Sequence, residues 1–354
     1  MPAIDFSLFR RQKIAVGLDI GSHAVKACEL AETPKGLELR SLGNALMPQG
    51  AVEDGILQDP AAVAKVISTL LQNLKISGKK VAFSMSGYSV IVKKINLAVM
   101  PEAELEKHIH AEAEQYIPFD IADVYLDFQD LKTSGPEEDR TDVMLVAAKK
   151  EVVDTYLAML QGIGLKPVVV DVDAFALENA LSHATADDNV GLIDIGAAKI
   201  NINILVGGNS AVTRDVVLGS RQLTEDIAQR LGVDLAEAES LKLGVTPAGE
   251  HQAALEEVFS TTVRQWVTEI RRAIDFFSSN YPDEALARLI LSGGGSKVQG
   301  LRQYLESATG IPVEQSNPFA RILTPQDRID PAYVAAIAPE MAIAVGLATR
   351  PCPI

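Results

Sequence analysis

The chain has 354 residues, 47% of them apolar and only 5% aromatic, with a formal net charge of −15. That length permits two domains or one bilobed unit with sizeable cores, while the acidity argues against nucleic acid or an anionic membrane surface as the default partner. Cys28 and Cys352 lie too far apart for a metal-type spacing and fit free thiols in a reducing compartment.

In chain order, Met1–Lys13 places Phe6, Leu8 and Phe9 beside Arg10 and Arg11, a short amphipathic start read as a tail packed on the domain. The apolar run behind it ends at Asp19, too short for a signal-peptide core. Ile14–Leu18 predicts a buried strand, Asp19-Ile20-Gly21-Ser22 a turn, and Val25–Leu30 a strand running back. The tip of that hairpin gathers an acid, a glycine, a hydroxyl and the cation Lys26. Glycine lets backbone N–H groups approach an anion, Asp19 suits the hydration shell of Mg²⁺, and Lys26 suits a phosphate as a point charge.

Gly36–Asn44 continues as a third strand, Pro60–Leu74 has helical apolar spacing, and Lys79–Met85 is the next strand. Residues 86–164 have a rhythm of their own. Val90–Leu97 is a strand, and Pro101 opens a helix at its first position that runs to Tyr116. Two further strands, Val124–Lys132 and Asp142–Ala148, are joined by the polar loop Thr133–Thr141, and Glu151–Gly164 is a helix. Strand Lys166–Val172 then leads to helix Ala174–Ser182, with Asp173 between them as a helix cap or a site acid.

The first motif returns at Val190–Ala197, where Asp194-Ile195-Gly196 repeats Asp19-Ile20-Gly21 and the alternating segment Lys199–Val206 follows. Two related hairpins predict two related halves. Helices are predicted at Leu223–Leu231, Leu235–Leu243 and Leu255–Ser279, with Glu239 and Lys242 spaced as an i,i+3 pair. Strand Arg288–Leu291 ends in Ser292-Gly293-Gly294-Gly295-Ser296, a backbone suited to close approach by a flat or phosphorylated ligand, and Lys297–Thr309 reads as a helix behind it. The apolar stretch Tyr333–Ala348 is broken by Pro339 and Glu340, so it falls short of an uninterrupted span, and Pro339–Thr349 reads as a final helix.

These motifs together resemble the actin-like ATPase superfamily of actin, Hsp70 chaperones, sugar kinases and the cell-division protein FtsA. Asp19–Lys26 is similar to its first phosphate loop, Asp194-Ile195-Gly196 to its second, and Ser292–Ser296 to its adenosine loop. The DIGS-x-x-VK form, the segment Glu112–Phe119 and the chain length most resemble the PilM family of type IV pilus and type II secretion machines.

The resemblance implies an α/β actin-like fold with two related lobes around a nucleotide cleft. Residues 1–85, 165–189 and 335–354 would form the first lobe, and 86–164 an inserted α+β subdomain. Residues 190–222 and 281–334 would form the core of the second lobe, and 223–280 its helical periphery. It implies ATP and Mg²⁺ as ligands, with Asp19 and Asp194 on the metal side. Gly21, Ser22, Lys26, Gly196, Gly293, Gly294 and Gly295 would surround the phosphates and adenosine, and Glu239 and Lys242 the ribose and adenine. Asp173 would orient the attacking water; family members often carry Glu-Pro here, and the shorter Asp173-Ala174 implies slow ATPase activity.

It further implies a cytoplasmic scaffold that binds the N-terminal tail of a PilN-type inner-membrane protein, with other pilus components or self-association as further contacts and no nucleic acid. A sugar-type kinase of the same fold and an FtsA-like cytoskeletal protein are the alternatives. The kinase would need a base beside a substrate hydroxyl, and no such cluster is evident. FtsA ends in an amphipathic anchor, whereas Arg350–Ile354 directly follows the last helix, an expectation of no membrane anchor of its own.

Overall fold

The computed structural model describes residues 15–132, 139–185 and 188–351. The Met1–Lys13 start, Ile14, most of the predicted loop at 133–141 and Cys352–Ile354 lie outside them. The chain opens with the antiparallel hairpin β1 (Val16–Ile20) and β2 (Ala24–Thr33), and β3 (Gly36–Leu46) pairs along β2. A two-residue pair, β4 (Val52–Glu53) and β5 (Ile56–Leu57), leads to α1 (Pro60–Asn73). Asp59 caps that helix by accepting from the Ala62 N–H at 3.0 Å, and Pro60 supplies a preset φ where the missing N–H costs nothing. Its periodic stripe Val63, Ile67, Leu70 and Leu71 is buried.

Strand β6 (Lys80–Met85) lies parallel to β1. Strand β7 (Val90–Ala98), helix α2 (Glu102–Glu112), and strands β8 (Val124–Asp130) and β9 (Arg140–Lys149) follow. They form a separate sheet of order β7-β9-β8 with its own core of Leu105, Ile109, Ile117, Val143 and Leu145. Pro101 sits one position earlier than predicted, as the N-cap of α2, with an extended ψ of 146°. Helix α3 (Lys150–Gly162) returns the chain to β10 (Lys166–Val172), which pairs parallel to β6, and α4 (Asp173–Thr185) crosses behind the sheet.

The second half repeats the first. Strands β11 (Val190–Ile195), β12 (Ile200–Val206) and β13 (Asn209–Val216) form an antiparallel meander. Helices α5 (Ser220–Leu231), α6 (Leu235–Lys242) and α7 (Gln252–Asn280) precede β14 (Arg288–Ser292). Helix α8 (Leu301–Thr309), strand β15 (Val313–Gln315), and helices α9 (Pro331–Ile337) and α10 (Ala342–Ala348) complete the described chain. One sheet runs β3-β2-β1-β6-β10 and the other β13-β12-β11-β14-β15, the same order with the same parallel and antiparallel pairings. The mixed α/β architecture is that of two related lobes.

Besides the two-residue strands β4 and β5, three described elements escape the sequence pattern. Strand β13 reads NSAVTRDV, too polar at its sheet edge to show alternation. Strand β15 is only three residues long. Helix α9, capped by Asp330, hides in a stretch that reads as one broken apolar run. Pro331–Ala348 is long and apolar enough to cross a membrane by composition, yet 67% of it is buried inside the protein. Helix α8 starts later than predicted because Gly300, at φ +81°, separates it from the tight turn Gly294–Lys297.

Helix α10 is the crossing point of the first lobe. A Cβ placed on Gly346 would lie 1.7 Å from the Ala176 carbonyl oxygen of α4, and one on Gly17 would lie 2.0 Å from the Ala344 carbonyl oxygen. The helix therefore approaches β1 on one side and α4 on the other most closely at glycine. A core of Leu39, Leu177, Leu192, Leu205, Ile290, Met341 and Val345 joins this helix pair to strands of both sheets.

Candidate functional site

The two hairpin tips carry matching geometry. The Gly21 N–H donates to the Ala24 carbonyl at 3.1 Å, and the Gly196 N–H donates to the Lys199 carbonyl at 2.9 Å. Asp19, at the end of β1, is buried and sits opposite Lys26 across the hairpin, with Lys26 Nζ 2.8 Å from its Oδ2. Asp194, at the matching place on β11, is buried too and accepts from Ser292 Oγ at 2.9 Å. Asp173, first residue of α4, is the third buried acid. Ser84 Oγ donates to its Oδ1 at 2.6 Å, Ser86 Oγ to its Oδ2 at 2.7 Å, and Lys199 Nζ to its Oδ2 at 2.6 Å.

Electrostatics divides these acids. Burial pushes Asp194 up to about 6; Lys26 opposes the rise, and Asp19 and Asp173 add to it. Burial would also raise Asp173, but the Lys199 ammonium and the two serine hydroxyls outweigh it and hold the carboxyl below its usual range. Lys26 loses charge stability to burial yet gains more from Asp19, Asp194 and Glu340, so its pKa rises. Lys199 rises for the same reason, with Asp173 and Asp215 the strongest of its acidic neighbours.

The glycine loop packs against the second hairpin. Gly293 has φ +81°, and a Cβ there would lie 2.4 Å from the Ile195 carbonyl oxygen, so only glycine fits. Gly295 is equally close to the Ile195 side chain, while a Cβ on Gly294 would meet nothing within 4 Å. The loop thus presents open backbone at Gly294 beside the tip of the second hairpin.

Lys242 and Glu239 do pair, at 2.7 Å, with the ammonium buried and the carboxylate 38% exposed. Thr224 links them: its hydroxyl donates to Glu239 at 2.7 Å and accepts from Lys242 at 2.9 Å. Burial lowers Lys242, and the Glu239 carboxylate opposes the shift. A pocket of about 290 Å³ lies alongside, walled by Leu223, Leu241, Phe259 and Val298 and reached by Lys242 and Gln299. Arg221 ties this side to the first hairpin by donating to the Ser22 carbonyl at 2.9 Å.

The arrangement therefore brings Asp19, Asp173, Asp194, Lys26 and the glycine loop to one cleft, with Glu239 and Lys242 on its flank. Sequence reasoning passed over Lys199, Ser84, Ser86 and Asn201. Lys199 was visible as the basic residue of the second hairpin, but its partner lies 26 positions away on the other lobe's crossing helix. Asn201 takes the register place opposite Asp194 that Lys26 takes opposite Asp19.

The donor set fits a magnesium–phosphate group. Among the described residues, no cluster of three or more His, Cys, Asp or Glu is arranged to hold a metal alone. Mg²⁺ ordinarily takes one or two protein carboxylates, with phosphate and water completing its shell. Asp19 and Asp194 are the carboxylates that could serve in this way. Asn201 Oδ1, buried near Asp194 with no hydrogen-bond partner in the protein, offers an acceptor to a bound group.

The sequence profile described as "Type IV pilus assembly protein PilM" matches residues 17–352. The solved "PilM-PilN type IV pilus biogenesis complex" contains a chain 31% identical to this one, with a TM-score of 0.86, covering 97% of this chain and 100% of that one. The cell division protein FtsA of Pseudomonas aeruginosa is 24% identical, over 87% of this chain and 84% of its own length. MreB5 of Spiroplasma citri, solved bound to ADP, shares the fold with a TM-score of 0.51 at 11% identity, covering 94% of each chain.

Proposed function

The chain belongs to the PilM family of type IV pilus assembly proteins, and from that premise we infer that it is an actin-like scaffold of the pilus assembly platform. Its partner is the N-terminal tail of a PilN-type membrane protein. The observation that carries this reading is the likeness, over 97% of the chain, to the PilM of a PilM–PilN complex. We place its work on the cytoplasmic side of the inner membrane, where it is held by that partner.

The cleft is proposed to bind ATP with Mg²⁺. Asp19 and Asp194 would face the metal, which neutralises phosphate charge when bound. Lys26 and the Gly21-Ser22 and Gly196 tips would face the phosphates. The Gly293–Gly295 backbone, Glu239 and Lys242 would hold the adenosine. Asp173 would orient water toward the terminal phosphate. Orientation matters only in the transition state, so Asp173→Asn should retain nucleotide binding and lose turnover.

The experiment is a labelled PilN-type tail peptide titrated by fluorescence anisotropy, beside calorimetry with ATP and Mg²⁺. Saturable binding of the peptide supports the scaffold reading, and its failure to bind the folded chain rejects it. Absence of any heat with ATP and Mg²⁺ would reject the cleft assignment while leaving the partner assignment standing.

A further inference from the structure

The two copies of the hairpin carry their cations differently. Lys26 stands opposite Asp19 and pairs with the acid of its own hairpin at 2.8 Å. In the second copy that register place is Asn201, and the cation is Lys199, closer to the tip. From there its ammonium leaves its own lobe and reaches Asp173 at 2.6 Å. The Lys199 side chain keeps 28% exposure while the Asp173 side chain keeps 10%, so the cation, rather than the acid, is open to the cleft. Asp173 does not depend on Lys199 alone, because Ser84 and Ser86 also donate to it.

We propose that Lys199 distinguishes a nucleoside triphosphate from a diphosphate by exchanging Asp173 for the terminal phosphate. The proposal rests on the nucleotide reading above. A nucleotide lying from the Val298 pocket past Gly294 brings its phosphates to the hairpin tips. A terminal phosphate carries more negative charge than one carboxylate and draws the ammonium across. A diphosphate ends short of it and leaves the Lys199–Asp173 pair in place. Exchange also leaves Asp173 with two hydroxyl donors and no cation, so it accepts a hydrogen bond from water more strongly when a triphosphate is present.

The test is calorimetry of the full chain with Mg²⁺ and either ATP or ADP, with thermal melts to verify folding. Lys199→Gln should weaken ATP about 10- to 100-fold, the loss of one charge-assisted hydrogen bond, and ADP by less than about threefold. Lys199→Arg should restore the preference. If Lys199→Gln does not fold, Lys199→Gln with Asp173→Asn leaves no unpaired charge and gives the same readout. A folded variant with the wild-type ratio of ATP to ADP affinity, or with equal losses for both, overturns the proposal while the nucleotide reading stands. A wild-type chain that binds neither nucleotide overturns both.

Discussion

Asp173 is a buried acid that stays ionised because Lys199, Ser84 and Ser86 all donate to it. Its folded pKa lies below the unfolded one, so the stability it contributes is present above the unfolded value of about 3.9 and is lost as pH falls through the lower folded value. Asp173→Asn should cost about 2–3 kcal/mol at neutral pH by leaving Lys199 half-paired, with the partial exposure of Lys199 keeping the loss below that of a fully buried pair. The difference from wild type should hold down to pH ~4, shrink below it, and vanish only beneath the folded value. Urea unfolding at several pH values measures it, and a difference that closes well above pH ~4 would contradict the ion-pair account. At the glycine loop, two neighbours should separate fold from binding. Gly293→Val should destabilise the chain, because its φ of +81° and the Ile195 carbonyl leave no room. Gly294→Asp should fold normally and lose ATP, because its Cβ points into open space and a carboxylate there repels phosphate. Micromolar binding is about −8 kcal/mol, so losing two charge-assisted contacts would make it undetectable by calorimetry. Asp19 and Lys26 were legible in the sequence because a hairpin puts residues seven apart face to face. The Asp173–Lys199 pair was not, because no local pattern states which residues of two lobes meet.

At the scale of elements, helix α10 is held by contacts too close for any side chain. Gly346→Val would drive a branched side chain into the Ala176 carbonyl and separate α10 from α4. Overpacking of this kind costs about 1–3 kcal/mol where neighbours can shift, and backbone on both sides allows little shift, so the loss should reach or exceed the upper figure. A melting temperature within a degree or two of wild type would show that the crossing is looser than described. Helices such as α1 were legible because Asp59, Pro60 and the Val63–Ile67–Leu70 stripe agree on one answer. Strand β13 was not, because edge pairing through its backbone to β12 needs no apolar alternation. The onset of α8 was missed because a tight turn and Gly300 intervene between the glycine loop and the helix.

Across the whole molecule, the sheet of β7, β8 and β9 connects with the second lobe at two places. The Gly87 N–H, just ahead of β7, donates to Asp215 at 2.8 Å, and Asp215 in turn accepts from Asn201 at 2.7 Å beside the second hairpin. Lys94 of β7 bonds the Tyr281 hydroxyl and lies 5.0 Å from its ring centre. A shift of the second lobe on binding nucleotide would therefore act on this sheet directly. Nucleotide and tail peptide should then change each other's affinity by one common factor, in the range of about 5- to 150-fold. Titrating each ligand with the other saturating checks the reciprocity, and a factor of one in both directions would remove the coupling. Replacing residues 86–164 by a short linker should abolish tail binding; undiminished binding by a folded deletion would move the groove elsewhere. The duplicated sheet order was legible in outline from the repeated Asp-Ile-Gly turns, since each turn fixes a hairpin. The contacts between lobes depend on side chains that meet only after folding.

The glycine contacts of α10 also bear on how the chain comes off the ribosome. Strand β1 is made first, but the helix that covers it is made roughly 320 residues later. At a synthesis rate of about 5–20 residues per second, the apolar face of the first sheet waits on the order of 15–65 seconds for its cover. During that interval the hairpin is covered by α1 on one face and open on the face that α10 later occupies. The second lobe, whose strands and helices are all made within one continuous stretch, can close while the first is still waiting. The side of the first sheet beneath α10 is thus expected to close after the second lobe, and a chaperone acting on the emerging chain should find its binding face there.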